Sequence, residues 1–169
     1  MKNLWLAINH SLLFLCVSMY LGTGWSLILF SFPVAPELTV DNYYLQFVPQ
    51  VTLATTFFTW ITVVMIGAGL VMTVAEWRGR MRWVPIVVLL AVVAATLLTT
   101  QLILPLNAQM AAHITDSAQL VDVLNRWMTL NRIRVGLWSV QWGAMMWFFA
   151  QKFLAAQVSP EANSNETKK

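Results

Sequence analysis

The chain has 169 residues, 59% hydrophobic and 10% charged, with a formal net charge of +3 and a mean hydropathy of +0.66. A soluble domain carries about 25% charged residues, so this balance excludes an ordinary soluble fold and points to one membrane domain. Basic residues beside spanning helices set topology, so the positive charge is not read as a nucleic-acid surface. The lone cysteine, Cys16, excludes an intrachain disulfide.

The first apolar segment, 11–32, is too long for the apolar core of a signal peptide, and no small-residue cleavage pattern follows it. It reads as an uncleaved spanning helix, since about 20 apolar residues cross a hydrocarbon core of roughly 30 Å. Gly22 and Gly24 permit close helix approach, and Pro33 and Pro36 are expected to end the helix. A loop carrying Glu37 and Asp41 leads to the second segment, 51–75, which is rich in threonine at Thr52, Thr55, Thr56 and Thr59. Such hydroxyls bond back to their own helix's carbonyls.

Arg78, Arg80 and Arg82 precede the third segment, 83–104, which closes on Thr99, Thr100 and Gln101 before Pro105. In the long connection that follows, Asp116 and Gln119 have the spacing of a capping box, so a helix begins there. It leads toward the fourth segment, 133–155, after which the polar tail, 159–169, is expected to be disordered. The expected fold class is all-α: a four-transmembrane-helix bundle with an extra short helix in the long outer loop before the fourth span.

With four spans, Lys2, Arg78, Arg80, Arg82, Lys152, Lys168 and Lys169 fall on one side, the cytoplasmic side by the positive-inside rule. Both termini are then cytoplasmic, in a plasma membrane of the bacterial inner-membrane kind. Arg126, Arg132 and Arg134 break this bias on the outer side.

Trp127, Asn131, Arg134 and Trp138 recur at helical spacing and so share one face. The outer halves of the segments also collect Ser26, Ser31, Thr55, Thr56, Thr99, Thr100 and Gln101, with Asn107 just beyond. Polar groups at membrane depth tend to face a bundle's interior and mark sites, which predicts an outer-leaflet pocket roofed by the 107–131 connection. Interface anchoring of Trp127 and Arg134, and ordinary helix–helix hydrogen bonding, account for the same residues without a site. His10 and His113 fall on opposite sides, and no Cys/His ligand spacing occurs, so no metal or other cofactor is expected. The sequence has no mid-helix acid of the kind an ion carrier uses.

LPLN at Leu104 to Asn107, followed by WMTLNRIR at Trp127 to Arg134, resembles the anthrone oxygenase-like family of small four-helix membrane proteins. The family pattern, P-x-N and then W-x-x-x-N-x-x-R, falls on Pro105, Asn107, Trp127, Asn131 and Arg134, and the likeness runs from Leu12 to Phe149. It implies a metal- and flavin-free oxygenase that converts an anthrone to an anthraquinone. By the same resemblance Arg134, Asn131 and Asn107 would be catalytic, stabilising charge on the substrate oxygen. Trp127 and Trp138 would bind the flat substrate by stacking. The implied partners are the lipid bilayer and a flat, hydrophobic aromatic small molecule. His113 lies in the right loop for a general base but outside the family pattern; a base must come within about 3 Å of the pocket, or one water away. Because no base, nucleophile or metal set is identifiable, a second reading stands beside this one. It is a non-catalytic membrane protein that binds a lipid-like ligand or serves as a subunit of a membrane complex.

Overall fold

The computed structural model describes the backbone of residues 2–166 and the side chains of 3–157. The polar tail expected to be disordered, 159–169, lies outside the described side chains. Helix α1, Lys2–Ser26, continues through a π-turn at Leu27–Ser31, a short helix α2, Phe32–Val34, and a 3-10 turn, Ala35–Glu37. Then come α3, Tyr43–Glu76, and α4, Trp83–Leu98. A second π-turn, Thr99–Ile103, joins α4 to α5, Leu104–Ala111, and α6 runs from Ser117 to Glu166.

Pro36 falls in the last turn of the first helical stretch, which ends at Glu37, but Pro33 does not stop it as expected. Proline lacks an N–H, and its ring crowds the carbonyl four residues back. Ahead of Pro33 the backbone widens instead, so that the Phe32 N–H donates to the Leu27 carbonyl five residues earlier. The same device precedes Pro105, where the Leu104 N–H donates to the Thr99 carbonyl. A π-turn absorbs one extra residue and lets the helix continue, so the first segment reaches Glu37 and the third reaches Ala111. The second segment also starts early, at Tyr43, and runs through Pro49.

The expected extra short helix is not a separate element. The helix begins at Ser117, with the Ala118 N–H donating to the Asp116 carboxylate at 3.0 Å, and then runs unbroken into the fourth segment. Neither glycine nor proline occurs between Ser117 and Val135 to interrupt it.

Among the described residues three helical stretches are long and apolar enough to cross a membrane: Asn3–Glu37, Tyr43–Glu76 and Trp83–Ala111. Their outer faces are apolar, with Leu53 73% and Val74 79% exposed, which suits lipid rather than water. Helix α6 is longer but more polar, carrying Arg126, Arg132, Arg134, Gln141 and Lys152. Helix α1 packs on α3 and α6, and α4 packs on the same two, so the four long rods close a ring.

Two buried clusters fill the ring. Leu13, Val17, Met72, Val88, Met145 and Phe148 belong to one, and Phe32, Tyr43, Ile103, Met110, Leu124 and Trp127 to the other. At the first end Lys152 Nζ donates to the Glu76 carboxylate at 2.9 and 3.1 Å, and Asn9 Nδ2 donates to the Ala68 carbonyl at 2.9 Å. At the other, the buried Tyr43 hydroxyl donates to the Met110 carbonyl at 3.0 Å and accepts from the Ile114 N–H. One side chain thereby ties the start of α3 to the turn between α5 and α6.

Candidate functional site

A cavity of about 870 Å³ lies between the two clusters. Both π-turns form part of its wall, through Leu27, Phe30 and Ser31 on one side and Thr99, Thr100 and Ile103 on the other. Such turns are frequent at functional sites because they re-aim side chains without ending a helix. Phe30 and Val63 line the cavity and are also 70% and 58% exposed, so its mouth is on the apolar flank of the bundle.

Four of the five candidate residues line this space: Asn107, Trp127, Arg134 and Trp138. Asn131, fully buried, does not, yet it connects the others. Its Nδ2 donates to the Trp127 carbonyl at 2.8 Å, which leaves Oδ1 to accept from Arg134 Nη2. Arg134 Nη1 donates to Thr99 Oγ1 at 3.2 Å. The Thr99 hydroxyl spends its own proton on the Ala95 carbonyl at 2.7 Å, so it meets the guanidinium as an acceptor. The guanidinium lies 4.7 Å from the centre of the Trp138 ring, a cation–π distance. Arg134 is thus held on three sides while its Nε is buried without a partner.

The two tryptophans differ in what they offer. Trp127 Nε1 donates to Asn107 Oδ1 at 2.9 Å, and Phe32 and Phe47 meet its ring edge-to-face at 5.8 and 4.7 Å between centroids. It is a fixed wall, occupied on several sides. Trp138 sits between Arg134 and Tyr20, whose ring centroid is 4.8 Å away. The Tyr20 hydroxyl donates to the Phe58 carbonyl at 2.7 Å and lies against Thr62.

Arg126, Arg132 and Arg134 have separate fates. Arg126 pairs with Asp122 at 3.8 Å on the surface, and Arg132 is exposed above the Phe32 ring at 5.4 Å. Only Arg134 of the three lines the cavity. Among the described residues no ion pair joins Arg134 to a carboxylate. His113 is exposed and stacked on Tyr44 at 3.6 Å, away from the cavity lining. It lies in the loop between α5 and α6. Its φ of 56° is the sole positive value among the described non-glycine residues, where it turns the chain between α5 and α6.

Sequence reasoning missed Tyr20 and Gln141, which also line the cavity. Gln141 carried a signal, since a polar side chain inside an apolar helix is costly facing lipid and tends to face the bundle interior. Of the outer-half polar residues, Ser31, Thr55, Thr99 and Thr100 reach the lining, whereas Ser26, Thr56 and Gln101 do not. Searches of protein-family models, curated proteins and solved structures return no match to this chain.

Proposed function

We propose that the chain is a multi-pass membrane protein that takes a flat, hydrophobic molecule into this cavity and acts on it as a cofactor-independent oxygenase. The observation that carries the binding half is Arg134: a guanidinium fixed by Thr99, Asn131 and Trp138, with no carboxylate paired to it, in a cavity walled mainly by apolar side chains. A partly buried cation with no carboxylate paired to it favours an anionic or strongly polarised oxygen on the ligand. The oxygenase half rests on the resemblance to the anthrone oxygenase-like pattern. In this reading the substrate is a ketone whose ring carries an acidic methylene. One methylene proton passes to a water molecule, to be returned to the peroxide oxygen formed when O2 adds, and the enolate left behind has its oxygen stabilised by Arg134. The carbanionic carbon then gives its electrons to O2, so the methylene becomes a carbonyl and one water leaves. Asn131 and Asn107 act through Arg134 and Trp127.

Four spans and cytoplasmic termini belong to the same proposal. They are supported by the four-rod ring and by the basic residues Arg78, Arg80, Arg82 and Lys152 at one end.

A second reading, binding without turnover, is favoured by the lining itself, which contains no Asp, Glu, His or Lys to act as a base. Purified protein in detergent, supplied with anthrone as a probe, separates the two. Oxygen uptake that Arg134→Ala abolishes, with helical content unchanged, supports the oxygenase. Saturable binding with no oxygen uptake supports the second reading. Absence of both sinks the proposed site.

A further inference from the structure

We infer that Gln141 is a second polar anchor of the cavity, so that its ligand carries two polar functions, one toward Arg134 and an uncharged hydroxyl-like group toward Gln141. This rests on the binding half of the proposed function and extends it. Among the described residues the buried side-chain atoms without a partner are His10 Nε2, Arg134 Nε, and both Nε2 and Oε1 of Gln141. All but the first belong to cavity-lining residues. Gln141 is 1% exposed. An amide inside apolar surroundings with neither its donor nor its acceptor used is a costly arrangement. The other polar groups of that region are committed: the Tyr20 hydroxyl to Phe58, and the Thr62 hydroxyl to the same carbonyl at 2.9 Å.

The spacing fits one elongated molecule. Arg134 and Gln141 are seven residues apart on the unbroken helix α6, hence on one face and about 10 Å apart along the axis. Trp138 lies between them on the same helix and lines the same cavity. The Gln141 amide is buried at the cavity wall, and its terminal torsion is soft, so a ligand group meets it by rotation. Because the amide offers both a donor and an acceptor, its complement is a group that is also both, namely a hydroxyl, rather than a bare anion.

The test uses two rigid probes, biphenyl-4-carboxylate and 4'-hydroxybiphenyl-4-carboxylate, titrated by quenching of tryptophan fluorescence in wild type, Gln141→Leu, Gln141→Met and Arg134→Met. The expected result is that the hydroxyl tightens binding to wild type by roughly tenfold, consistent with one buried hydrogen bond. Both Gln141 variants should lose that gain while binding biphenyl-4-carboxylate as wild type does, and Arg134→Met should weaken both probes. The empty Gln141→Leu protein should also melt at a higher temperature, having lost an unsatisfied amide. A hydroxyl gain that survives in the Gln141 variants overturns the inference while leaving the Arg134 reading intact. So does a fall in melting temperature together with loss of biphenyl-4-carboxylate binding, which would make Gln141 structural. Failure of wild type to bind either probe overturns both.

Discussion

The Trp127 indole N–H and the Asn107 side-chain oxygen are joined at 2.9 Å across twenty residues of chain, and this bond fastens α5 to α6. Trp127 belongs to a buried cluster beside the cavity, and loss of the bond leaves its indole N–H without its protein partner. Asn107→Leu should lower stability by about 1–3 kcal/mol, read as a fall in the thermal midpoint in detergent. The double variant with Trp127→Phe should fall by less than the sum of the singles, because the two remove one shared interaction.

Arg134→Met should act on both stability and binding. It removes a partly buried cation that no carboxylate pairs but leaves the buried Asn131 Oδ1 without its donor, so stability should fall by about 1–3 kcal/mol with the helical fold retained. Loss of a charge-assisted contact of about 1.5–3 kcal/mol should weaken an anionic probe roughly 10- to 100-fold. Titration by tryptophan fluorescence checks this, and an unchanged affinity would remove Arg134 from the site.

Gly24 lets α1 lie directly on the site. A Cβ there would stand 2.7 Å from Trp138 Cε3 and 2.7 Å from Val135 Cγ2, closer than real contacts allow. Gly24→Ala should therefore destabilise by about 1–3 kcal/mol and displace the Trp138 ring from beneath the Arg134 guanidinium. A shift in near-ultraviolet circular dichroism, with probe affinity reduced, is the expected signature.

Tyr43→Phe removes one hydroxyl and orphans two backbone groups, the Met110 carbonyl and the Ile114 N–H. Each unsatisfied buried group costs about 1–3 kcal/mol. Hydrogen exchange should accelerate across 110–116 ahead of the rest of the protein, because the turn between α5 and α6 opens locally.

Pro105→Ala restores an N–H at the point where the helix had widened. The π-turn at Thr99–Ile103 should then contract toward α-helical pairing, rotating Thr99 away from Arg134. The expected outcome is unchanged or higher thermal stability with weaker probe binding; equal affinity would show that the π-turn does not aim Thr99.

The helices were legible because long apolar runs leave few alternatives, and the face shared by Trp127, Asn131, Arg134 and Trp138 followed from spacing alone. The prolines were misread. Pro33 and Pro105 look like stops when only the missing N–H is considered, whereas an added residue in the preceding turn relieves the clash and keeps the rod intact. The division between two of the arginines followed from the same spacing: Arg132 and Arg134 differ by two positions, about 200° around the helix, and only Arg134 shares the face of Trp127, Asn131 and Trp138.

The mouth framed by Phe30 and Val63 has a consequence for any assay. On the proposed reading it opens toward acyl chains rather than water, so occupancy would follow the amount of ligand per lipid rather than its aqueous concentration. A ligand that partitions strongly will saturate the protein at a low total dose. Adding empty vesicles at constant volume should then lower occupancy, because each new vesicle dilutes the phase from which the cavity fills.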